Sequence, residues 1–431
     1  GTGRTALRDR VSPLPTVKSG GSSALGFSRR EGGRSAAQES FPPAPMEKDW
    51  DPQRPEGVDV EDFRECVNDA RGFYRARHQA LKWLGRTPPA EAIVLPEGGA
   101  KFRVATKSPA ELLAYGDRLR KQLFPLLTRE RETARLLEGN PRKAVLEVME
   151  AYRLKSIVPR VTVSADATAA TDLLHHQAAA AVWRGLCEGT NFFSEEEYEV
   201  GLLLLGPMEL TAGGVTVTTT RGILMGLPLS WLVYSVYHAF LWHEARVRSG
   251  TPLTVRQEPF ALCGDDLLGI ASRATNAEYE RLFRIGQGRF SAGKHFVIAA
   301  PRGCFVELFF DGEEIMDTVS VAGLVHTGSG DETRFAEEVS ALAPAWSLAG
   351  LAVEGALANA PHLYKEIRRA QKECFPRLAR WGRRRGLIPY LPRFLGGMGL
   401  IRTDHLSREA PPLVARALIR FATNDSANAD R

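Results

Sequence analysis

Two adjacent aspartates interrupt an apolar stretch of the chain, and few folded environments accept that arrangement. The segment FALCGDDLLGI (residues 260–270) places Asp265 and Asp266 between two short runs of strand-forming residues. A strand, a two-residue acidic turn and a second strand would put both carboxylates at a hairpin tip, where Gly264 relaxes the backbone. Two neighbouring carboxylates ionise together only at a cost unless a cation joins them, and Mg²⁺ prefers carboxylate oxygens. A type I′ turn that uses Asp only for its backbone tolerance stays an alternative.

A second pair of acids favours the cation. In SADATAATD (residues 164–172), a β-type run ends at Asp166, and Asp172 follows on the turn or helix beyond. An acid at the end of one strand can face the same ions as an acid on a hairpin tip. Two metal ions about 4 Å apart, held by carboxylates from two segments, serve an in-line displacement at phosphorus.

A glycine-rich segment and a lysine complete the pattern. In TTTRGILMGLPLSW (residues 218–231), Gly222 and Gly226 let the backbone approach a ligand, and Ser230 offers a hydroxyl near the start of a helix. In SAGKHFVI (residues 291–298), Lys294 precedes a strand and is placed to protonate a leaving phosphate. A solvated lysine at a strand end is the plainer interpretation of Lys294.

Upstream, KFRVATK (residues 101–107) alternates like a strand. This spacing places Lys101, Arg103 and Lys107 on one side. Same-side cations repel unless an anion lies between them, which favours a phosphate site over a solvated face. A later cluster of arginines with Trp381 and Tyr390 suits an RNA surface, with an exposed helix as the alternative.

In this order, the segments resemble the palm of a viral RNA-dependent RNA polymerase. SADATAATD looks like motif A, GILMGLPLSW like motif B, CGDD like motif C and SAGKH like motif D, in the forms typical of ourmia-like viruses (botourmiaviruses) and their narnavirus relatives. Residues 95–120 resemble the basic motif F of the fingers, and GCFVELFF (303–310) resembles motif E. The resemblance covers about residues 90–400.

The resemblance implies an α+β right-hand fold with fingers, a palm of antiparallel sheet backed by helices, and a helical thumb. The expected domains are a disordered segment over 1–55, N-terminal fingers over 56–155, a palm with a fingers insertion over 156–320, and a thumb over 321–431. The chain starts at Gly1, so Met46 is an alternative start of the protein.

The resemblance also implies a role for each matched residue. Asp166 and Asp265 would ligate two Mg²⁺ ions, with Mn²⁺ as the alternative metal, and Asp266 would be a weaker or indirect ligand. Lys294 would be the general acid for pyrophosphate release. The residues expected to bind the nucleotide are Lys101, Arg103 and Lys107 at the triphosphate, Asp172 and Ser230 at the ribose 2′-hydroxyl, and Gly226 as the flexible point of its loop.

The sequence departs from the family pattern at two places. Tyr234 stands where many positive-strand RNA polymerases carry Asn, which weakens the expected contact with the sugar. Ala167 and Thr168 replace the usual Leu-Ser of motif A, a change that leaves both acids in place.

Composition adds broad limits. Lys and Arg number 56 against 51 Asp and Glu, a formal charge of +5 that permits a polyanionic partner without requiring one. Five dispersed cysteines argue against a disulfide framework or a zinc site. Residues 222–242 are uncharged, but their Pro and other polar side chains favour a buried core helix over a membrane span. Likewise His175 and His176, adjacent on a helix, point about 100° apart and do not easily serve one ion.

The predicted function is template-directed RNA synthesis from NTPs, with an RNA template and product duplex as partners, in the host cytoplasm rather than the mitochondrion. Two alternatives stay open. A reverse transcriptase usually lacks Gly before its Asp pair and excludes the 2′-hydroxyl, whereas this chain has Gly264 and the Asp172–Ser230 pair. A non-catalytic RNA-binding remnant would not need every metal ligand, and all the expected ligands are present.

Overall fold

The computed structural model of the chain describes residues 23–28, 31–48, 53, 60–97, 101–316 and 364–374. The chain divides into two compact units, residues 1–94 with 104–316 and residues 95–103 with 317–431. In the second unit, the described part of the predicted thumb is one helix, Tyr364–Cys374. The rest of the predicted thumb lies outside the described residues, so the thumb stays a prediction.

Helices and strands alternate irregularly along the described residues. The helices are α1 (Gly33–Glu39), α2 (Val60–Leu81), α3 (Ala110–Arg129), α4 (Arg131–Leu137), α5 (Pro141–Met149), α6 (Ala170–Leu173), α7 (His176–Thr190), α8 (Glu195–Leu205), α9 (Ser230–Ser249), α10 (Arg273–Ile285) and α11 (Tyr364–Cys374). The strands are β1 (Pro89–Glu97), β2 (Lys101–Lys107), β3 (Arg160–Ala165), β4 (Glu209–Ala212), β5 (Val215–Thr218), β6 (Phe260–Cys263), β7 (Asp266–Ser272), β8 (Phe296–Ile298), β9 (Arg302–Phe305), β10 (Leu308–Asp311) and β11 (Glu314–Met316).

The palm is a four-stranded sheet of order β6-β7-β3-β8. Every pair in it is antiparallel. The two central strands are almost wholly buried, because β3 and β7 each carry apolar or small residues on both faces. The α+β palm that the motifs predicted is therefore present.

Both faces of the palm sheet are covered. On one face, Val161 and Val163 of β3 pack with Leu241 and Trp242 of α9 and with Tyr279 of α10 in one apolar cluster. On the other face, a second cluster joins side chains of β6 and β7 to helix α5 and to the β9–β10 hairpin. The strands that lead to the acids are thus buried in the core of the molecule.

The fingers residues form the largest apolar cluster. It draws on α2, α3, α7, α8 and the first half of α9. Beside it, a four-stranded sheet has the order β2-β1-β4-β5. The core helix predicted within residues 222–242 begins at Ser230, and most residues of α9 up to Trp242 are buried, whereas most of those after it are at least partly exposed. None of the helices in the described ranges is long and apolar enough to cross a membrane.

Part of the stretch 1–55, predicted to be disordered, is ordered. Residues 33–39 form α1, and the side chains of Ala24 and Ala37 are fully buried in the fingers. Glu47 accepts three hydrogen bonds from Arg75 of α2, with the shortest nitrogen–oxygen distance 2.7 Å. The prediction failed here because widely spaced apolar residues, Ala24, Phe27, Ala37 and Phe41, pack on the fingers cluster, and their spacing gives no regular hydrophobic period.

The segment 303–310, which resembles motif E, lies in a hairpin. Strands β9 and β10 pair antiparallel, with Phe305 opposite Leu308. The two residues between them, Val306 and Glu307, have φ values of 49° and 63°. Two successive positive φ values are the signature of a type I′ turn, in which non-glycine residues are uncommon. The hairpin therefore reverses at the point that lies nearest the acids.

Candidate active site

The register of the palm strands brings the acids of two segments side by side. Ala165 of β3 pairs with Leu267 of β7, so the next residue pair along the ladder is Asp166 and Asp266. Strand β6 pairs with β7 up to Cys263 and Asp266, and the chain reverses between them. Three carboxylates from two segments, Asp166, Asp265 and Asp266, thus meet at one edge of the sheet.

The turn of the acidic hairpin is Gly264–Asp265, and Asp266 is the first residue of β7. The predicted two-residue turn of Asp265 and Asp266 is therefore wrong by one position. Gly264 has a φ of 64° while Asp265 keeps a negative φ, the sign pattern of a type II′ turn rather than type I′. A Cβ at position 264 would also lie 2.7 Å from Nε1 of Trp231, so both the φ and the close packing require glycine.

The carboxyl of Asp266 is mostly buried among the other acids. Burial raises the pKa of its carboxyl to about 7, the negative charges of Asp166 and Asp265 add to the rise, and a hydrogen bond from Val306 opposes it. That bond runs from the backbone nitrogen of Val306, in the β9–β10 turn, to Oδ2 of Asp266 over 2.9 Å. Mutual repulsion of the three carboxylates means that a bound cation would stabilise the site.

The donor chemistry of the three acids suits Mg²⁺, which takes carboxylate oxygens together with water and phosphate. Their present orientation does not yet form a chelate. Among the residues that the structure describes, no three His, Cys, Asp or Glu side chains are grouped so as to hold a metal ion. Asp266 is turned towards Val306, and Asp166 is paired with a lysine. In this structure the carboxylates of Asp166 and Asp266 are thus engaged by protein groups.

The lysine is Lys294, whose Nζ lies 3.3 Å from Oδ2 of Asp166. Its side chain is 60% exposed, so it reaches the acids without leaving solvent. Partial burial lowers the pKa of Lys294, but the negative charge of Asp166 and the hydrogen bond to it outweigh that effect and raise it. The segment that carries Lys294 is tied to motif A, because Ser291 donates its backbone N–H to the carbonyl of Asp166 over 2.8 Å.

Asp172, the acid predicted to face the ribose, lies on α6 against the glycine-rich loop. We call residues 221–229 the motif B loop. A Cβ at Gly222 would lie 2.8 Å from the carbonyl oxygen of Asp172, and Gly222 has a φ of 92°. Solvent reaches Asp172, yet the protein packed around its carboxyl raises its pKa. Motif A and the motif B loop are thus in direct contact.

Ser230 bonds to the motif B loop itself, and Gly226 packs the loop against strand β2. Ser230 is buried, and its hydroxyl donates a hydrogen bond to the carbonyl of Leu224 over 3.0 Å. The oxygen of Ser230 can still accept, but its proton is engaged within the loop. Gly226 has a φ of 115°, and a Cβ there would lie 2.6 Å from the carbonyl oxygen of Thr106 in β2. The predicted contact of Ser230 with the sugar stays a prediction.

The three cations predicted at the triphosphate are not brought together within one unit. Lys107 belongs to the first unit, where its Nζ lies 3.5 Å from Oε2 of Glu91 in β1. Lys101 and Arg103 lie on the same strand but belong to the second unit, and the Arg103 side chain is exposed. Their joint role at a phosphate stays a prediction.

Sequence reasoning missed several residues that support the site. His176 Nε2 lies 3.0 Å from the carbonyl of Gly222, so this histidine holds the motif B loop. His238 of α9 lies 2.9 Å from the carbonyl of Gly264, directly beneath the acidic turn. Tyr234, which replaces the usual Asn, is buried, and the charges of Asp265 and Asp166 add to the effect of burial in raising its pKa. A local motif gives no signal for these contacts, because each joins distant segments.

The fold is that of a viral RNA-dependent RNA polymerase. The chain is similar to the crystal structure of the RNA-dependent RNA polymerase of a human picorbirnavirus, with a TM-score of 0.50, 15% identity, and coverage of 76% of this chain and 61% of that one. The insertion-loop deletion mutant of the same polymerase gives a TM-score of 0.51, 14% identity, and coverage of 72% and 60%. No protein-family model matches the chain.

The chain is also similar in sequence to two curated polymerases of narnaviruses. The chain is 29% identical over 360 residues to the RNA-directed RNA polymerase of Saccharomyces 20S RNA narnavirus, covering 74% of this chain and 40% of the relative. It is also 29% identical over 335 residues to the polymerase of Saccharomyces 23S RNA narnavirus, covering 72% and 34%. The chain thus spans between about a third and two fifths of the length of these relatives. The resemblance to narnavirus polymerases is confirmed, and the ourmia-like subtype stays a prediction.

Proposed function

We propose that this protein synthesises RNA on an RNA template, transferring nucleotidyl groups from NTPs to an RNA 3′-hydroxyl with release of pyrophosphate. The observation that carries the proposal is the register of β3 against β7, which sets Asp166 beside Asp266, the first residue of β7, and next to the turn that carries Asp265. This arrangement of acids, on the fold of a viral RNA-dependent RNA polymerase, suits phosphoryl chemistry with two metal ions.

The acids would hold Mg²⁺, or Mn²⁺ in its place, through Asp166 and Asp265, with Asp266 weaker or indirect. When bound, the ions supply charge stabilisation at the reacting phosphorus and orient the 3′-hydroxyl. Asp266 is held by the backbone of Val306, which suits a supporting role better than that of a primary ligand.

Lys294 is proposed as the proton donor to pyrophosphate. A raised pKa keeps its ammonium protonated at neutral pH, and its exposed position beside Asp166 lets it reach a leaving group at the metal site. A general acid must be within hydrogen-bond reach of the atom that it protonates. The ion pair with Asp166 keeps the Lys294 ammonium at the site, where a substrate phosphate could replace Asp166 as its partner.

The remaining proposed contacts concern the nucleotide. Lys101, Arg103 and Lys107 would bind the triphosphate, and Asp172 with Ser230 would contact the ribose 2′-hydroxyl. Gly226, with a φ of 115°, would be the flexible point of the motif B loop. The RNA template, the product duplex and NTPs are the proposed partners, and the host cytoplasm the proposed location.

Primer extension on a short RNA template, with Mg²⁺ and labelled NTPs, tests the function. The variants are Asp265→Ala and, as a matched control, Glu314→Ala, which removes an exposed acid on β11. RNA product from the wild type and Glu314→Ala, with none from Asp265→Ala, supports the proposal. Equal incorporation by all three proteins contradicts the role of the acidic turn and indicates a contaminant.

Two further outcomes separate the alternatives. DNA product from dNTPs in place of RNA product from NTPs would indicate a reverse transcriptase. RNA binding without any product would indicate the non-catalytic remnant.

A further inference from the structure

One residue of the fingers strand β2 holds the motif B loop by two hydrogen bonds to a single atom. The carbonyl oxygen of Met225 accepts from the backbone nitrogen of Thr106 over 2.9 Å and from its Oγ1 over 2.8 Å. A carbonyl oxygen has two lone pairs, so Thr106 satisfies this acceptor completely. The neighbouring Gly226 packs directly on the Thr106 carbonyl, where a Cβ would come within 2.6 Å.

The opposite side of the loop is held by motif A and the helix after it. Gly222 donates its backbone N–H to the carbonyl of Leu174 over 2.7 Å, and Ile223 donates to the carbonyl of Thr171 over 2.9 Å. Thr171 is the residue immediately before Asp172. The motif B loop is therefore hydrogen-bonded to β2 on one side and to the segment that carries Asp172 on the other.

The hydroxyl of Thr106 contacts this loop from β2, and a substitution can remove that contact without removing the backbone bond beside it. Its backbone N–H stays in any variant, and the side chain is half-buried rather than part of a core. The next residue along β2 is Lys107, one of the cations proposed at the triphosphate. A single strand therefore carries a proposed phosphate contact and the clamp on the loop proposed at the sugar.

We propose that Thr106 is a positioning residue that holds the motif B loop against Asp172 and so sets the discrimination between ribonucleotides and deoxyribonucleotides. The proposal rests on the proposed polymerase function and adds to it a residue to which the resemblance assigns no role, within the segment that resembles motif F. Loss of the hydroxyl lets Met225 and Gly226 move away from β2. Asp172 and Ser230 are then held less firmly in the positions from which they would contact the ribose 2′-hydroxyl. Selection for a substrate hydroxyl falls when the groups that hydrogen-bond to it are not fixed in place.

The variants are Thr106→Val, which keeps the shape and loses the hydroxyl, and Thr106→Ser, which keeps the hydroxyl. The matched control is Thr216→Val. It removes a comparable hydroxyl contact, 2.8 Å from Oγ1 of Thr211, in the β4–β5 hairpin of the fingers. If Thr106→Val acted only by destabilising the fingers, Thr216→Val would change the nucleotide discrimination to the same extent.

The first measurement is the ratio of kcat/KM for UTP to kcat/KM for dUTP in primer extension. We expect Thr106→Val to lower this ratio roughly 3- to 10-fold, about the effect of one neutral hydrogen bond. Thr106→Ser and Thr216→Val should keep the wild-type ratio. An unchanged ratio in Thr106→Val, or an equal fall in Thr216→Val, overturns the role in discrimination.

The second measurement is amide hydrogen exchange over residues 222–227, which needs no catalysis. We expect faster exchange there in Thr106→Val than in the wild type and Thr106→Ser. Unchanged exchange in Thr106→Val overturns the clamp itself. If the wild type makes no product at all, the proposed function fails, and the exchange result alone decides whether Thr106 holds the loop.

Discussion

Acidification from pH 7.5 to 5.5 is expected to destabilise the palm through His238, and replacing this histidine by glutamine should remove that part of the loss. His238 is fully buried beneath the acidic turn, with Nδ1 2.9 Å from the carbonyl of Gly264 and Nε2 2.7 Å from the hydroxyl of Tyr279. A carbonyl only accepts, so Nδ1 carries the proton and Nε2 accepts from the Tyr279 hydroxyl. The neutral imidazole is therefore the form that satisfies both of these hydrogen bonds.

The pKa of His238 determines the size and sign of the effect. Burial lowers its pKa from 6.5 to about 4, against the raising effect of the Gly264 bond. Above pH 6.5 the ring is neutral in both folded and unfolded chains, and stability does not depend on it. Below pH 6.5 His238 binds a proton in the unfolded chain but stays neutral in the folded chain. The free energy of unfolding therefore falls until about pH 4, where the folded chain is protonated too. At pH 5.5 the loss is about 1.4 kcal/mol, and at its full extent about 3 kcal/mol.

Urea unfolding followed by tryptophan fluorescence, at pH 7.5 and 5.5, measures the difference. His238→Gln keeps a donor for the Gly264 carbonyl and an acceptor for the Tyr279 hydroxyl, but it does not titrate. Whatever the variant costs at pH 7.5, its further loss on acidification should be about 1.4 kcal/mol smaller than that of the wild type. Groups elsewhere titrate in both proteins and cancel in the comparison. Equal losses in the two proteins would refute the reasoning.

Further substitutions test other parts of the fold. Gly201→Ala should lower the free energy of unfolding by about 1–3 kcal/mol in urea titrations, because a Cβ there meets the buried ring of Trp183. Glu47→Gln should cost about 1 kcal/mol by weakening the charge-assisted hydrogen bonds from Arg75, and no change would mean that this ion pair does not stabilise the fingers. Gly264→Ala should abolish primer extension while circular dichroism stays near that of the wild type, since strain and crowding fall on the acidic turn; full activity would contradict this.

The sequence predicts the acids and the strands well because both signals are local. An apolar run that ends in Asp166, and two runs around Asp265, identify strand ends without any knowledge of distant contacts. The order of the motifs then predicts a polymerase palm, which the fold confirms. The error of one residue in the turn has a local cause too, because Gly264 rather than Asp266 supplies the φ that the reversal needs.

Contacts between distant segments were out of reach of the sequence. Val306 reaches Asp266 across 40 residues, and Thr106 reaches Met225 across 119. Neither residue type has a preference that indicates such a partner. The ordered N-terminal segment was missed for the same reason, since its alanines become informative only when the surface that they fill is known.

What the sequence determined by itself is which side chains can do the chemistry and which strands carry them. Only the tertiary structure decided how those side chains are aligned, because the antiparallel register sets Asp166 beside Asp266, and a slip of one residue would turn each to the other face. That register depends on packing at both faces of the palm sheet, from Trp242 on one side to Phe305 on the other. Local motifs identify the three acids, but the packing of the whole core brings them to the same edge of the sheet.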